Sequence, residues 1–380
     1  LVGAFVLAAV LVGLPAHGAV TWASGTESPR ALAAGDLSAR EAEVLARCGT
    51  GDAALRDVAK QVLERKRAGL ATPDADALAA LLRAAGEPHV WPRAWIASGR
   101  ALDHDGVARK IDAWKMQTRD LGERRCGVAA STRDGNEIIV AIAVDALADL
   151  APLPVRARTG QWLTLDARML VPATAAQVIV MGPSGAPRSV PASFANGRIR
   201  ARVAPESPGA YTVQVVADVA TGPRPVLEAA VFSEIAPPAS LELRAAPGED
   251  ASGADAADTL FRMLVAMRRA EQIGPPVRDA RLDAIARAHA RKMAAARTVG
   301  HDVGDGDPTQ RLRDANLVTR DAGENVAHAA SLVLAHRALY ASPSHRANLL
   351  RADFDRVGVA TVDDPDGSVW IVELFASGLR

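Results

Sequence analysis

The sequence predicts an α+β fold in which two helix-then-hairpin units flank a β-sandwich. Three observations carry this. Apolar residues recur at helical spacing near both ends of the chain. Each helical stretch runs into β-type segments that meet at Asp-Gly, at Asp134-Gly135 and Asp366-Gly367. Between the two units the pattern changes to short β-type runs punctuated by Pro and Gly.

The 380 residues suit two or three domains at roughly 100–200 residues each. A chain of this length buries enough apolar surface to fold without a metal or a disulfide. A hydrophobic fraction of 49% and a charged fraction of 23% exclude wholesale disorder. Lys+Arg and Asp+Glu both number 44, for a formal charge of +0. Phosphate binding asks for a net basic surface, so no nucleic acid is expected as the main partner. The 2 cysteines are too few for a disulfide scaffold or a Cys-based zinc site.

Leu1 to Leu14 carries no charged or polar side chain, and Pro15-Ala16-His17-Gly18-Ala19 follows with small residues. The run is shorter than the roughly 20 residues of a membrane-spanning helix. Residues 1–19 therefore read as the apolar core and cleavage region of a signal peptide whose basic start is missing. An uncleaved anchor is the alternative. The expected location is secreted, periplasmic or envelope-associated, with no transmembrane span in the mature chain. Cys48 and Cys126 would then meet an oxidising compartment where one disulfide can form. The sequence leaves their pairing open.

Asp36 to about Leu82 is helical in pattern, with Leu55, Val58, Val62 and Leu63 as its stripe, and Gly86-Glu87-Pro88 ends it. Val107–Gln117 reads as a further helix. Cys126–Ala129 and Ile138–Ile142 read as the hairpin. This first α+β domain is assigned 36–150, with Ala151–Pro154 as a linker. Gln161–Leu170, Gln177–Met181, Arg198–Val203, Tyr211–Val219 and Val226–Ile235 are the β-type runs of the middle. Pro208-Gly209-Ala210-Tyr211 enters a strand as in many immunoglobulin-like sandwiches, so 155–236 reads as an immunoglobulin-like β-sandwich. A linker over 237–257 follows. The last domain, 258–380, starts with the stripe Leu260, Leu264, Met267. A second stripe is Leu282, Ile285, Ala286, His289, Met293, and a third helix is expected over Val326–Tyr340.

The two α+β segments look like copies. Asp52–Lys60 matches Asp279–Arg287, Gly86-Glu87 matches Gly323-Glu324, and Arg125–Ala129 matches Arg356–Ala360, in the same order. Coincidence between unrelated domains is the alternative.

Five of the eight histidines follow Ala288. Three motifs stand out there. They are Val299-Gly300-His301-Asp302, Ala322-Gly323-Glu324-Asn325-Val326, and Ser342-Pro343-Ser344-His345-Arg346-Ala347-Asn348-Leu349-Leu350. In this order they resemble the CAP superfamily of cysteine-rich secretory, antigen 5 and pathogenesis-related proteins, in its bacterial SCP-like branch. The resemblance covers about Asp258–Phe375. It implies a three-layer α–β–α sandwich and a cleft where His301, Glu324 and His345 converge. If the first α+β segment is a copy of the second, it is a degenerate CAP-like domain.

Two imidazoles and a carboxylate are a normal three-ligand set for Zn²⁺ with an open water position. They also suit acid–base work near neutral pH. The family's second acid has Asp302, Asp305 and Asp307 as candidates, and spacing favours Asp305. Each residue has a structural alternative. His301 and His345 can stabilise loops, and Glu324 can cap the helix it is expected to open. Glu324 with His328 would be an i, i+4 pair on that helix. His289 and His336 read as surface or packing residues, and Ser342 and Glu373 as structural. Leu339 stands where the family often has Trp. In the first copy Trp114 falls at the counterpart of His345, Leu70–Thr72 near that of His301, and only Glu87 survives. His89 and His104 read as isolated and exposed.

The expected function is a secreted binding module for a lipid, envelope glycan or protein ligand, requiring no cofactor. A zinc-dependent hydrolase using His301, His345 and Glu324 is the alternative, and a structural scaffold the third reading.

Overall fold

The computed structural model describes residues 20–100, 102–117, 121–240 and 245–380. The expected signal peptide, 1–19, lies outside the described residues. Among those residues no helix is long and apolar enough to cross a membrane. The architecture is mixed α and β, with four sheets in three packed parts.

The first part opens with β1 (Gly25–Ser28), which belongs to the sandwich sheet described below. It continues through α1 (Ala39–Cys48), β2 (Thr50–Gly51), α2 (Ala53–Arg67), α3 (Ala75–Ala84), β3 (Arg93–Arg100), α4 (His104–Lys115), β4 (Glu123–Arg133) and β5 (Asn136–Ala146). Its sheet has the order β2-β4-β5-β3. Alternation along β5 feeds two cores. Ile138, Val140, Ile142 and Val144 pack under α2 and α3, while Ile139, Ala141 and Ala143 pack under α1 and α4. Cys48 on α1 is disulfide-bonded to Cys126 on β4.

The second part contains β6 (Ala148–Pro154), β7 (Arg156–Ala157), β8 (Leu163–Met169), β9 (Ala175–Met181), β10 (Arg188–Val190), β11 (Ala192–Ala195), β12 (Arg198–Val203), β13 (Gly209–Val219) and β14 (Gly222–Ser233). The expected linker Ala151–Pro154 is part of β6, and this corrects that reading. Its two prolines, Pro152 and Pro154, lie beyond the stretch paired with β8, which ends at Leu150. In the pairing with β1, Pro152 falls at the irregularity and Pro154 at the last pair, where a missing N–H is tolerated. Two five-stranded sheets, β1-β6-β8-β12-β11 and β10-β9-β13-β14-β7, face each other over one apolar core. Tyr211 marks the entry to β13. Its hydroxyl accepts from the Glu206 and Ser207 N–H groups and donates to the Ser207 carbonyl.

The third part contains α5 (Ala256–Ala270), β15 (Val277–Arg278), α6 (Ala280–Ala296), α7 (Pro308–Asp314), β16 (Asp321–Ala329), α8 (Leu332–Ala341), α9 (Pro343–Leu349), β17 (Arg356–Asp363) and β18 (Val369–Ser377). Its sheet, β15-β17-β18-β16, has α5, α8 and α9 on one face and α6 and α7 on the other. This is the three-layer arrangement expected. The sequence expectation fails at one element: Asp321–Ala329 is a strand, so the helix begins only at Leu332. Glu324 therefore caps no helix. In an extended strand Glu324 and His328 sit roughly 13 Å apart along the chain, too far to share one ligand.

The two α+β parts share topology and anchor points. In both, a short strand pairs in parallel with the first hairpin strand, and the last strand pairs antiparallel with an edge strand. Asp52 caps α2 and Asp279 caps α6. Gly127 lies against the Leu55–Arg56 backbone and Gly358 against Leu282–Asp283. A Cβ would stand 2.0 Å from Arg56 N in the first case and 2.2 Å from Leu282 C in the second. Counting register from these glycines, Ala94 opposite Ile142 matches Glu324 opposite Leu374. Glu87 is thus not the counterpart of Glu324. Gly86 ends α3 with φ +73°, whereas Gly323 is extended inside β16 against the Phe354 ring.

Candidate functional site

The site gathers between α6, the loop that follows it, β16 and α9. Helix α6 ends at Arg297 in the left-handed region, and the chain then loops through His301 to Asp307, which caps α7. Gly304 and Gly306, both at positive φ, let the loop curl so that Asp302 Oδ1 accepts from their N–H groups at 2.8 and 3.2 Å. Asp302 and Asp307 are thereby spent on local structure. Asp305 is free to turn inward.

His301 and Glu324 meet as the sequence implied. His301 Nδ1 donates to Glu324 Oε1 at 2.9 Å. The other Glu324 oxygen is taken by the Arg311 guanidinium. Arg311 also donates to the carbonyls of His301 and Gly306 at 2.8 and 2.7 Å. Asp305 joins through His289, whose Nδ1 lies 2.9 Å from Asp305 Oδ2 and 3.0 Å from the Arg311 guanidinium, and whose Nε2 lies 2.9 Å from the Gly300 carbonyl. His289 is completely buried and sits 3.7 Å from Glu324. Of its two expected roles, surface or packing, burial rules out the first. Burial alone would raise the Glu324 carboxyl. The hydrogen bond and charge of His301, with the charges of Arg311 and His289, outweigh it and hold the group below the usual carboxylate range.

His345 stands on α9, across β16. Its Nδ1 lies 2.9 Å from Ser342 Oγ, and its carbonyl accepts from Asn325 Nδ2 at 3.3 Å. The residue keeps some exposed surface, but protein packs closely round the ring. Burial and nearby His301 push the imidazole down to about 3. Asn325 also donates to Glu373 Oε2 at 3.1 Å and accepts from Asn348 Nδ2 at 3.0 Å. The other Glu373 oxygen has no partner among the described residues, and burial raises this carboxyl to about 7.

The sandwich reaches into the site. The two-residue turn between β13 and β14 places Thr221 so that its carbonyl accepts from the His301 and Asp302 N–H groups at 2.9 and 3.3 Å. Gly222 faces the His301 ring base, where a Cβ would stand 2.9 Å from His301 Cβ. Gln214 on β13 lies against Ser342 and Ser344 of α9. Arg224 holds the turn from behind through Thr221 Oγ1 at 3.0 Å and stacks on Trp91 of the first part.

Of the residues the sequence singled out, the structure joins His301 to Glu324 and Asp305 to His289, while the His345 ring bonds to Ser342. Sequence reasoning missed Arg311, Asn325, Asn348, Gln214 and Thr221. Asn325 and Asn348 lay inside the quoted motifs. Gln214 was legible as the polar alternate of the Tyr211-Val213-Val215 stripe. Arg311 gave no signal. His89, expected to be exposed, is buried and bonded to Glu87 and to the Ala148 carbonyl, which corrects that reading. Glu87 counters the effect of burial there and raises the imidazole.

The donor set does not fit a divalent metal. Glu324 has both oxygens engaged, one by His301 and the other by the Arg311 guanidinium. His301 directs Nδ1 at Glu324, and His345 directs Nδ1 at Ser342. Among the described residues no three His, Cys, Asp or Glu side chains converge to hold an ion.

Residues 261–375 match the sequence model of the cysteine-rich secretory protein family, CAP. No curated protein matches the chain. Among solved structures, an outer surface protein from Borrelia burgdorferi is 23% identical with a TM-score of 0.31, over 33% of this chain and 95% of that one. An extracellular protein containing an SCP domain from Bacillus anthracis is 15% identical with a TM-score of 0.30, over 66% and 67%. A cysteine-rich secretory protein from Staphylococcus aureus is 13% identical with a TM-score of 0.28, over 61% and 82%.

Proposed function

We propose that this chain, which carries a CAP domain at residues 261–375, is an extracellular binding protein. Its CAP cleft takes a polar ligand, an envelope glycan or a peptide. The observation that carries this is the closed ion network of the cleft. Glu324 is held ionised between His301 and Arg311. A general base works best with a pKa near the operating pH. His345, pushed to about 3, is too weak a base for that role. Arg311 beside Glu324 likewise argues against the zinc-hydrolase reading. The cluster instead offers fixed polar groups, which orient a ligand.

Export is supported by the apolar opening segment and by the Cys48–Cys126 bond, which suits an oxidising compartment. An immunoglobulin-like character for the sandwich is supported by the Tyr211 hydroxyl bonded back to residues 206 and 207. Descent of the first α+β part from a CAP-like copy is supported by the shared sheet order and glycine anchors. Its role is to buttress the other two parts.

Calorimetric titration of the full chain with soluble peptidoglycan fragments, and separately with palmitate, tests the reading. Saturable binding of the fragments, weakened about tenfold or more in His301→Ala, is the expected result. Binding of palmitate alone would replace the polar ligand by a lipid. Turnover of a peptide or ester panel, lost in His345→Ala, would overturn the binding reading in favour of a hydrolase.

A further inference from the structure

We propose that Gln214, a residue of the sandwich, is a positioning residue for the CAP cleft: it fixes His345 in the neutral tautomer with its proton on Nε2. The cleft then presents an N–H donor to an oxygen acceptor of its ligand, and no lone pair to a metal. The ligand side of this inference rests on the binding reading above; the tautomer itself does not.

The hydrogen bonds within the protein favour one arrangement. Gln214 Oε1 accepts from the Ser344 N–H at 2.9 Å, which only an oxygen can do. Gln214 Nε2 donates to Glu228 Oε1 at 2.6 Å, which only the amide nitrogen can do. The orientation of the amide is therefore set at both ends. The second Nε2 hydrogen goes to Ser342 Oγ at 3.0 Å. A hydroxyl has one hydrogen to give. Ser342 accepts from Gln214, and among the described residues the one acceptor within reach of its own hydrogen is His345 Nδ1, at 2.9 Å. A nitrogen that accepts carries no proton. The neutral ring then holds its proton on Nε2, which has no protein partner among the described residues.

The relay is braced from behind. Gln214 is 0% exposed, so no water competes for its amide. Tyr211, Val213 and Val215 face the sandwich core, which turns Gln214 to the outer face of the sheet against α9. Glu228 is anchored by Arg83 of α3 at 3.3 Å and by its own N–H on the Pro88 carbonyl at 2.7 Å. One polar chain thus runs from the first part, through the sandwich, to a cleft histidine. The Thr221 carbonyl meanwhile holds the His301 loop. Both histidine-bearing segments of the CAP domain take their positions from the sandwich.

The test is ¹⁵N imidazole NMR on the full chain near neutral pH, with His345 assigned by its loss in His345→Gln. The wild type should show an unprotonated Nδ1 and a protonated Nε2. Gln214→Glu keeps an acceptor for the Ser344 N–H but turns the group facing Ser342 into an acceptor. Ser342 then donates to residue 214, His345 must donate from Nδ1, and the tautomer inverts. Should the added carboxyl beside Glu228 prevent folding, the near-isosteric Gln214→Met decides: the His345 signals should move toward a mixture of tautomers. A wild-type His345 protonated on Nδ1 overturns the proposal, as do His345 signals unmoved in the folded variants. The readout needs no ligand, so a failed search for ligands leaves this result standing.

Discussion

In the first α+β part, the edge-strand positions opposite Ile142 and Ala141 carry Ala94 and Trp95. In the CAP domain the matching positions, opposite Leu374 and Glu373, carry Glu324 and Asn325. Ala94 and Trp95 pack against apolar clusters. Glu324, Asn325 and Glu373 are buried polar groups, and one Glu373 oxygen is left unsatisfied among the described residues. The same sheet order, helix anchors and layer count arise in both parts. Folding this architecture therefore does not require the polar set. Burying such groups costs free energy unless every one is bonded. The first part has a disulfide where the second has none: Cys126 holds the register place of Val357.

That contrast gives the largest expected effect. Cys48 and Cys126 are separated by 78 residues, and closing a loop of that size stabilises by about 4 kcal/mol in the chain-entropy account. Cys48→Ser with Cys126→Ser should lower the unfolding free energy of the first part by that order and leave the CAP domain's own transition in place. Urea unfolding followed by segment-resolved hydrogen exchange reads this. Loss of both parts together would mean that the CAP domain cannot stand without its neighbour. Next come the two glycine anchors. Gly127→Ala and Gly358→Ala each drive a Cβ into helix backbone, at a cost of about 3 kcal/mol or more apiece. Tolerance of one but not the other would break the equivalence of the two parts.

The sequence revealed most of this comparison, and its blind spot was the same on both sides. The apolar stripes of α2 and α6 and both Asp-Gly hairpins were legible because their local periodicity equals their final environment. Two of the elements missed, β3 and β16, are the matching edge strands. Each pairs with one neighbour only and is rich in Ala, Gly and polar residues of low β-propensity. Their strand state comes from β5 and β18, which no local window contains. With β16 taken for a helix start, Glu324 was read as a cap. The motif histidines were still found, because they lie in distinctive sequence. Arg311 and Gln214 enter the site by tertiary packing alone.

Glu373 sharpens the contrast through pH. Its carboxyl stands at about 7 against an ordinary 4.5, so between those values the folded chain holds a proton that the unfolded chain has lost. Stability then falls as pH rises from 4.5 through 7. Glu373→Gln should remove this slope and stabilise the CAP domain by about 3 kcal/mol above pH 8, with little change near pH 4. Its counterpart Ala141 cannot titrate, so the first part should lack this component. Equal slopes for wild type and Glu373→Gln would show that the buried carboxyl is relieved by other means.

The smallest effect separates two residues that do the same local job. Asp52 and Asp279 both cap a helix that follows a short parallel strand, and replacing either by Ala should cost about 1 kcal/mol near neutral pH. Their pH dependences should have opposite signs. Burial and the charge of Glu87 raise the Asp52 carboxyl, so its contribution is full at acid pH and shrinks as pH rises through the raised value. The hydrogen bond from the Arg281 side chain, acting against burial, lowers the Asp279 carboxyl. Its contribution is full above the usual carboxylate range and is lost as pH falls through the lowered value. The cost of Asp52→Ala should therefore grow on acidification while that of Asp279→Ala shrinks, as read from unfolding midpoints at a series of pH values. Parallel trends would mean that the charge of Glu87 does not reach the cap, and that the two parts differ in their clefts but not at their helix anchors.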